Sequence, residues 1–231
     1  MRLDKFLCDG LGISRTEAKK MIQKGKVFIN DTVASKPDMK VDENSDFVTC
    51  DDKPVIFEEF VYYMLNKPAG VVCANHDSKE STVLDLFKDL KRRKLSCVGR
   101  LDKDTTGLLI LTDDGNLIHA LTSPQKKVYK EYLVGIDHPL SEADIKALEE
   151  GVDIGDDRPT LPSKVCIKDD KTIVLSICEG RFHQVKRMLI AVGNEVLSLK
   201  RISEGKVRLD EGLKPGEYRR LTEDEIRELK R

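Results

Sequence analysis

Apolar residues recur at Leu3, Phe6, Leu7 and Leu11, which share one helical face, and the Gly10 to Gly12 stretch interrupts them. A short amphipathic helix is therefore expected over Arg2 to Leu11. Ser14-Arg15-Thr16-Glu17 has the S-x-x-E form of a capping box and Gly25 supplies a stop, predicting a second helix over Arg15 to Lys24. On that helix Ala18, Met21 and Ile22 turn inward, while Arg15, Lys19 and Gln23 form an outward stripe with Lys20 and Lys24 beside it. Val27 to Ile29, Asn30-Asp31 and Thr32-Val33 read as a hairpin, and Phe47 to Cys50 reads as a strand. Lys53-Pro54 begins a connector, and the boundary falls between about 53 and 60, giving expected domains 1–57 and 58–231.

Beyond the boundary, Phe60 to Leu65 is strand-like and Val71 to Cys73 continues the sheet. Ser81-Thr82 caps a helix from Val83 to about Leu90. Leu108 to Leu111, closed by Thr112 and followed by Asp113-Asp114-Gly115, is a buried strand ending in a tight turn. Asn116 to Thr122 is a helix stopped by Pro124, and Tyr132 falls on the next strand. Ser141 caps a helix over Glu142 to Glu150 that ends at Gly151. Thr172 to Cys178 is a strand, His183 to Val192 a helix stopped by Gly193, and Val196 to Leu209 two strands around Ser203-Glu204-Gly205. Thr222 to Glu225 opens a C-terminal helix with another capping box. Strands that do not alternate regularly with helices predict an α+β fold, not a doubly wound sheet.

Composition changes this picture in one respect. The formal net charge is -1, so no global excess announces a partner, yet charge is segregated. Residues 1 to 36 carry eight Lys or Arg against four acids, and residues 37 to 52 carry one Lys against six acids. A basic patch on a neutral protein still attracts phosphate within a Debye length, roughly 8 Å at physiological salt. Lys91-Arg92-Arg93-Lys94 is a second basic cluster, placed for phosphate contact ahead of the Asp102 loop. The six cysteines are scattered without a C-x-x-C pair, which gives no support for a zinc site or a disulfide framework. No apolar stretch approaches the ~20 residues of a membrane span and no leader pattern follows Met1, so the expectation is a reduced, cytoplasmic protein.

Candidate chemistry concentrates in Val98 to Gly115. Gly99, Arg100, Asp102, Lys103, Asp104, Thr105, Thr106 and Gly107 crowd charge, hydroxyl groups and flexible backbone onto the loop that feeds the buried strand. A carboxylate there, flanked by Arg100 and Lys103, could be a nucleophile or a general base. Composition alone equally fits a polar turn whose Asp and Thr side chains cap local backbone groups.

Seventeen contiguous positions, Gly99 to Gly115, resemble the central motif of pseudouridine synthases, in the branch that modifies ribosomal RNA. Other segments resemble that family's motifs in the same order: Tyr63 to Gly70, Lys130 to Val134, Glu179 to Met188, and Leu213 to Arg219. The N-terminal helices and small sheet, from Arg2-Leu3-Asp4-Lys5 through Val27 to Asn30, resemble an S4-type RNA-binding domain. The resemblance implies a catalytic domain with a mixed, largely antiparallel sheet flanked by helices. It implies Asp102 as the catalytic carboxylate, Lys186 as the basic group paired with it, and Tyr132 as the active-site tyrosine. Arg100 would fill the gap left in the RNA or hold a phosphate, Val185 would form an apolar wall, and Arg181 of the basic motif joins the substrate-binding set. Arg15, Lys19, Lys20 and Lys24 would hold rRNA phosphates. His183, with no metal-ligand spacing among the four histidines, is expected in a hydrogen-bonded structural role, and the motif does not require Asp104.

The implied activity is isomerisation of one uridine in small-subunit rRNA by base flipping, with ribosomal RNA as partner, no cofactor, no metal and no membrane, and the protein acting as a monomer. Three alternatives stay open at this point: a large-subunit rRNA synthase, a non-catalytic S4-type RNA-binding or ribosome-assembly protein, and a metal-dependent hydrolase using Asp102 with Asp104 or Asp113.

Overall fold

The computed structural model describes residues 1–87 and 94–231, which form two compact units, one spanning Met1–Val61 and a larger one that begins at Tyr62. The first unit opens with α1 (Leu3–Leu11), ended by Gly12 in the left-handed region, and α2 (Arg15–Gln23). Ser14 Oγ accepts from Glu17 N at 3.2 Å and Glu17 accepts from Ser14 N at 2.7 Å, so the capping box closes in both directions. Four strands follow: β1 (Val27–Ile29), β2 (Thr32–Val33), β3 (Val48–Cys50) and β4 (Lys53–Pro54), in the sheet order β2-β1-β3-β4. Leu3, Phe6, Leu7, Ala18, Ile22, Val27 and Val48 form one buried cluster; each large apolar side chain so buried contributes about 1.5–3 kcal/mol.

Lys53-Pro54 is therefore a strand and not the start of a connector. Asp51 and Asp52 adopt φ +49° and +59°, a two-residue turn of the same kind as Asn30-Asp31 at +48° and +65°. Two central residues with positive φ suit the twist of a hairpin, and Asp and Asn tolerate that region better than most. Proline is admitted because β4 lies at the sheet edge, where a missing N–H breaks no ladder.

The second unit is built on a nine-stranded sheet among the described residues. Its strands are β5 (Tyr62–Lys67), β6 (Ser96–Cys97), β7 (Thr106–Thr112), β8 (Lys130–Ile136), β9 (Lys164–Asp169), β10 (Thr172–Ile177), β11 (Val196–Glu204), β12 (Val207–Arg208) and β13 (Tyr218–Arg220). The main path runs β13-β5-β7-β11-β8-β10-β9, with β6 beside β7 and β12 beside β11. Only β7 and β11 pair in parallel; the other pairs are antiparallel. Helices α3 (Gly115–Thr122), α4 (Glu142–Glu150), α5 (Gln184–Ala191) and α6 (Glu223–Lys230) complete an α+β fold. Leu108, Leu109, Ile110 and Leu111 are fully buried, as an uninterrupted apolar run in a central strand requires.

Some expected elements differ. Val71 to Cys73 forms no strand; Val72 alone bridges to Thr82. The segment after Thr82 is a short 3-10 turn, Val83–Leu86, held by the Thr82/Asp85 capping box; the rest of the helix expected to Leu90, and Lys91 to Arg93 of the basic cluster, lie outside the described residues.

Candidate active site

The loop from Asp102 to Thr105 is wrapped around a buried ammonium. Lys67, at the end of β5, is fully buried and its Nζ donates to the carbonyl oxygens of Pro68 (3.1 Å), Asp102 (3.0 Å), Lys103 (3.2 Å) and Thr105 (2.9 Å). Burial pushes the Lys67 pKa down, and Cys73, Asp104 and Asp102 oppose that shift. The backbone that carries Asp102 is thereby fixed by side-chain bonds and not by a ladder.

A cleft of about 670 Å³ opens beside this loop, lined among others by Arg100, Asp102, Tyr132, Arg181, Phe182, His183, Val185 and Arg201. That volume lies within the roughly 300–1,000 Å³ typical of ligand pockets. The Asp102 carboxylate, 26% exposed, faces two basic side chains: Lys186 Nζ stands 3.5 Å from Oδ2 and His183 Nε2 stands 3.7 Å from Oδ1. Lys186 is bound more tightly elsewhere, because its Nζ donates to both Asp104 oxygens at 2.7 and 2.8 Å. The hydrogen bond from Lys186 holds the Asp104 carboxyl below its usual range. Expectation and geometry differ here: the basic partner shares its charge between two carboxylates, and Asp104, not required by the motif, holds the nearer place. The His183 ring faces Asp102 from the residue ahead of α5.

Tyr132 lies on β8 directly opposite Arg201 of β11. Burial raises the Tyr132 pKa, and the positive charge of the Arg201 guanidinium opposes that rise. Arg201 is itself buried; its Nε donates to Leu108 O at 2.7 Å and its Nη2 lies 3.3 Å from Glu204 Oε2. A buried guanidinium requires such partners, since an unpaired charge there is costly. The close approach of β11 to β7 that sets Arg201 in place depends on Gly107, which has φ +98° and whose missing Cβ would lie 2.2 Å from Arg201 O. Any side chain at that position would force the two strands apart.

Val185 is buried in the cleft wall and Arg100 is exposed at its lining. Arg181 lines the cleft too, but its guanidinium donates to Glu179 Oε2 (3.1 Å), Arg158 O (2.7 Å) and Pro159 O (2.8 Å). Those bonds commit its donors to the protein and make it an anchor of the wall, in contrast to the RNA contact expected of it. Arg15, Lys19 and Lys20 are exposed on α2 of the first unit and Lys24 at its C-cap, while Ala18 and Ile22 of the same helix are buried.

Lys67, Arg201 and the Cys73 and Cys97 thiols are functional candidates that sequence reasoning did not single out. The Cys73 thiol is pulled down by a hydrogen bond from Cys97, assisted against burial by the Leu101 N–H and by Lys67 and Arg201; the Leu101 bond measures 3.3 Å. Lys67 fell inside a quoted motif, which was its one signal. Among the described residues no group of three or more His, Cys, Asp or Glu side chains is placed to hold a metal ion, and no helix is long and apolar enough to cross a membrane.

Residues 61–191 match the RNA pseudouridylate synthase family and residues 1–47 match the S4 domain. The chain is 43% identical to the ribosomal small subunit pseudouridine synthase A of Haemophilus influenzae, covering 99% of both chains. It is 46% identical to an uncharacterized RNA pseudouridine synthase of Bacillus subtilis, covering 98% of this chain and 97% of the relative. A crystal structure of a pseudouridylate synthase, 42% identical, superposes with a TM-score of 0.71 over 99% of each chain.

Proposed function

The chain belongs to the RNA pseudouridylate synthase family and carries an S4 domain, and from that premise we propose that it converts one specific uridine of small-subunit ribosomal RNA to pseudouridine. The relatives called small-subunit synthase A match along nearly their whole length, which supports that substrate over a large-subunit site. The protein acts in the cytoplasm as a monomer, with residues 1–57 holding RNA and residues 58–231 performing the chemistry.

The reaction breaks the N1–C1′ bond, turns the uracil within the cleft and joins C5 to C1′. The uracil loses its C5 proton and gains one at N1, so no net atoms enter or leave. Asp102 supplies the carboxylate, as a nucleophile toward sugar or ring or as a base on a route through a glycal. Lys186 and His183 flank it at 3.5 and 3.7 Å and orient it toward the cleft. Tyr132 stacks on the displaced base, a contact worth ~1–3 kcal/mol, against a flipping cost of roughly a few kcal/mol. Its oxygen, beside Arg201, takes part in removing the C5 proton. Val185 closes the apolar side, Arg100 occupies the gap in the RNA or a phosphate, and Arg15, Lys19, Lys20 and Lys24 bind phosphates.

One observation carries this reading: Arg100 and Asp102 of one loop, Tyr132 of β8 and Val185 of α5 line a single cleft, with Lys186 3.5 Å from the carboxylate. The test is pseudouridine mapping of rRNA in cells lacking the protein, complemented with wild type or Asp102→Asn. Loss of one small-subunit site, restored only by wild type, is expected; loss of a large-subunit site instead would overturn the substrate.

A further inference from the structure

Phe182 is 74% exposed, yet its backbone is held in place. Arg187 Nε donates to the Phe182 carbonyl at 2.8 Å, and Arg181 N and Gln184 Oε1 bond at 2.9 Å across the turn. The ring thus presents a π-face to solvent from a backbone of fixed position. One face of the ring is already covered: it stacks on His183 with centroids 3.8 Å apart and planes 18° apart. His183 has φ +49°, a conformation uncommon outside glycine and concentrated at functional sites. In that conformation its ring lies flat against Phe182 while its Nε2 stands 3.7 Å from Asp102. Phe182, His183 and Asp102 thus form a stepped series along one wall of the cleft, and the chemistry proposed above makes no use of the outermost step.

We infer that the outer face of Phe182 is a stacking platform for an unpaired nucleobase of the RNA, the neighbour of the flipped uridine. The inference rests on the proposed activity. Extrusion of one nucleotide removes a stacking partner from the bases beside it. A ring at the lip of the cleft replaces that partner, and any base can use it because every base presents a π-face. The exposed Arg100 in the same lining suits the backbone of such a strand.

The experiment compares Phe182→Leu, which keeps apolar bulk without a π-face, with Phe182→Trp. Both are assayed on whichever rRNA fragment, small- or large-subunit, the wild-type enzyme modifies, so failure of the small-subunit assignment leaves this test standing. Phe182→Leu should raise KM about tenfold with kcat little changed, and Phe182→Trp should retain wild-type KM. RNAs carrying an abasic residue 5′ or 3′ of the target uridine supply the second arm. With one of the two, wild type and Phe182→Leu should become equal, because the base that uses the platform is gone. A wild-type KM for Phe182→Leu, or an equal penalty on intact and both abasic RNAs, would overturn the platform. The latter result would point to an ordinary apolar contact or to a protein partner at this surface.

Discussion

The Lys186 ammonium grips Asp104 through both carboxylate oxygens, at 2.7 and 2.8 Å. It leaves 3.5 Å to Asp102, so the charge opposite the proposed catalytic carboxylate is divided before substrate arrives.

Asp104→Asn should weaken that grip and let Lys186 close on Asp102, keeping turnover within about tenfold of wild type. Asp102→Asn should abolish turnover with RNA binding near normal, and Lys186→Met should lose about 100-fold or more. Single-turnover rates of the three variants check this. Equal losses for Asp104→Asn and Asp102→Asn would show that the two carboxylates act as one unit.

Lys67→Met should destabilise the fold by roughly 1–3 kcal/mol, since the Thr105 carbonyl loses its donor in a buried place, while the Asp102 and Lys103 carbonyls keep the Thr105 and Gly70 N–H groups. The same change frees the Asp102 backbone, so kcat should fall along with stability. Urea unfolding and turnover below the transition measure both. Full activity in a destabilised variant would detach the ammonium from the positioning of Asp102.

Tyr132→Phe keeps the ring and removes the oxygen beside Arg201. Turnover should drop strongly with KM little changed, and Tyr132→Ala should impair binding as well. Normal turnover in Tyr132→Phe alone would restrict the residue to stacking.

Cys73, whose pKa is lowered by the hydrogen bond from Cys97 and by the Leu101 N–H, should react with iodoacetamide at lower pH than an ordinary thiol, whose alkylation rate climbs near about 8.5. Inactivation should follow the alkylation of Cys73 because the thiol lines the cleft, and Cys73→Ser should resist it. Mass mapping of the adduct across pH decides the matter.

Replacing Arg15, Lys19 and Lys24 by Gln should raise KM and flatten the logarithmic salt dependence by about two units, with kcat at saturating RNA little changed. Each phosphate contact contributes roughly 0.7 to 0.9 to that slope. An unchanged slope would make the stripe a solvated surface.

Elements with strong punctuation were legible in the sequence. Helix α4 begins after Ser141 and ends at Gly151 as expected, because a capping box and a positive-φ glycine fix both ends independently of the fold. Strand β9 was not legible: mostly exposed at the sheet edge, its alternation of Lys164, Val165, Cys166, Ile167 and Lys168 buries too little to stand out. Strand β13 was hidden within the segment Leu213 to Arg219, three residues whose strand character comes only from pairing with β5. In the site, Asp102, Tyr132 and Val185 were accessible through motifs. Arg201 and Lys67 were not, because a charged residue reads as surface until tertiary structure encloses it, and the division of Lys186 between two aspartates is a matter of distance that no spacing encodes.

Strand β11 lies in the middle of the sheet yet comes late in the chain, and Arg201 reaches back 93 residues to bond Leu108. During synthesis β7 and β8 must therefore wait, each with an open edge toward the place β11 will fill. Until that insertion Tyr132 lacks the guanidinium opposite it and the cleft lacks a wall. A chain that stopped short of Val196 would lack both, so the candidate site is completed by a strand that comes late in the sequence.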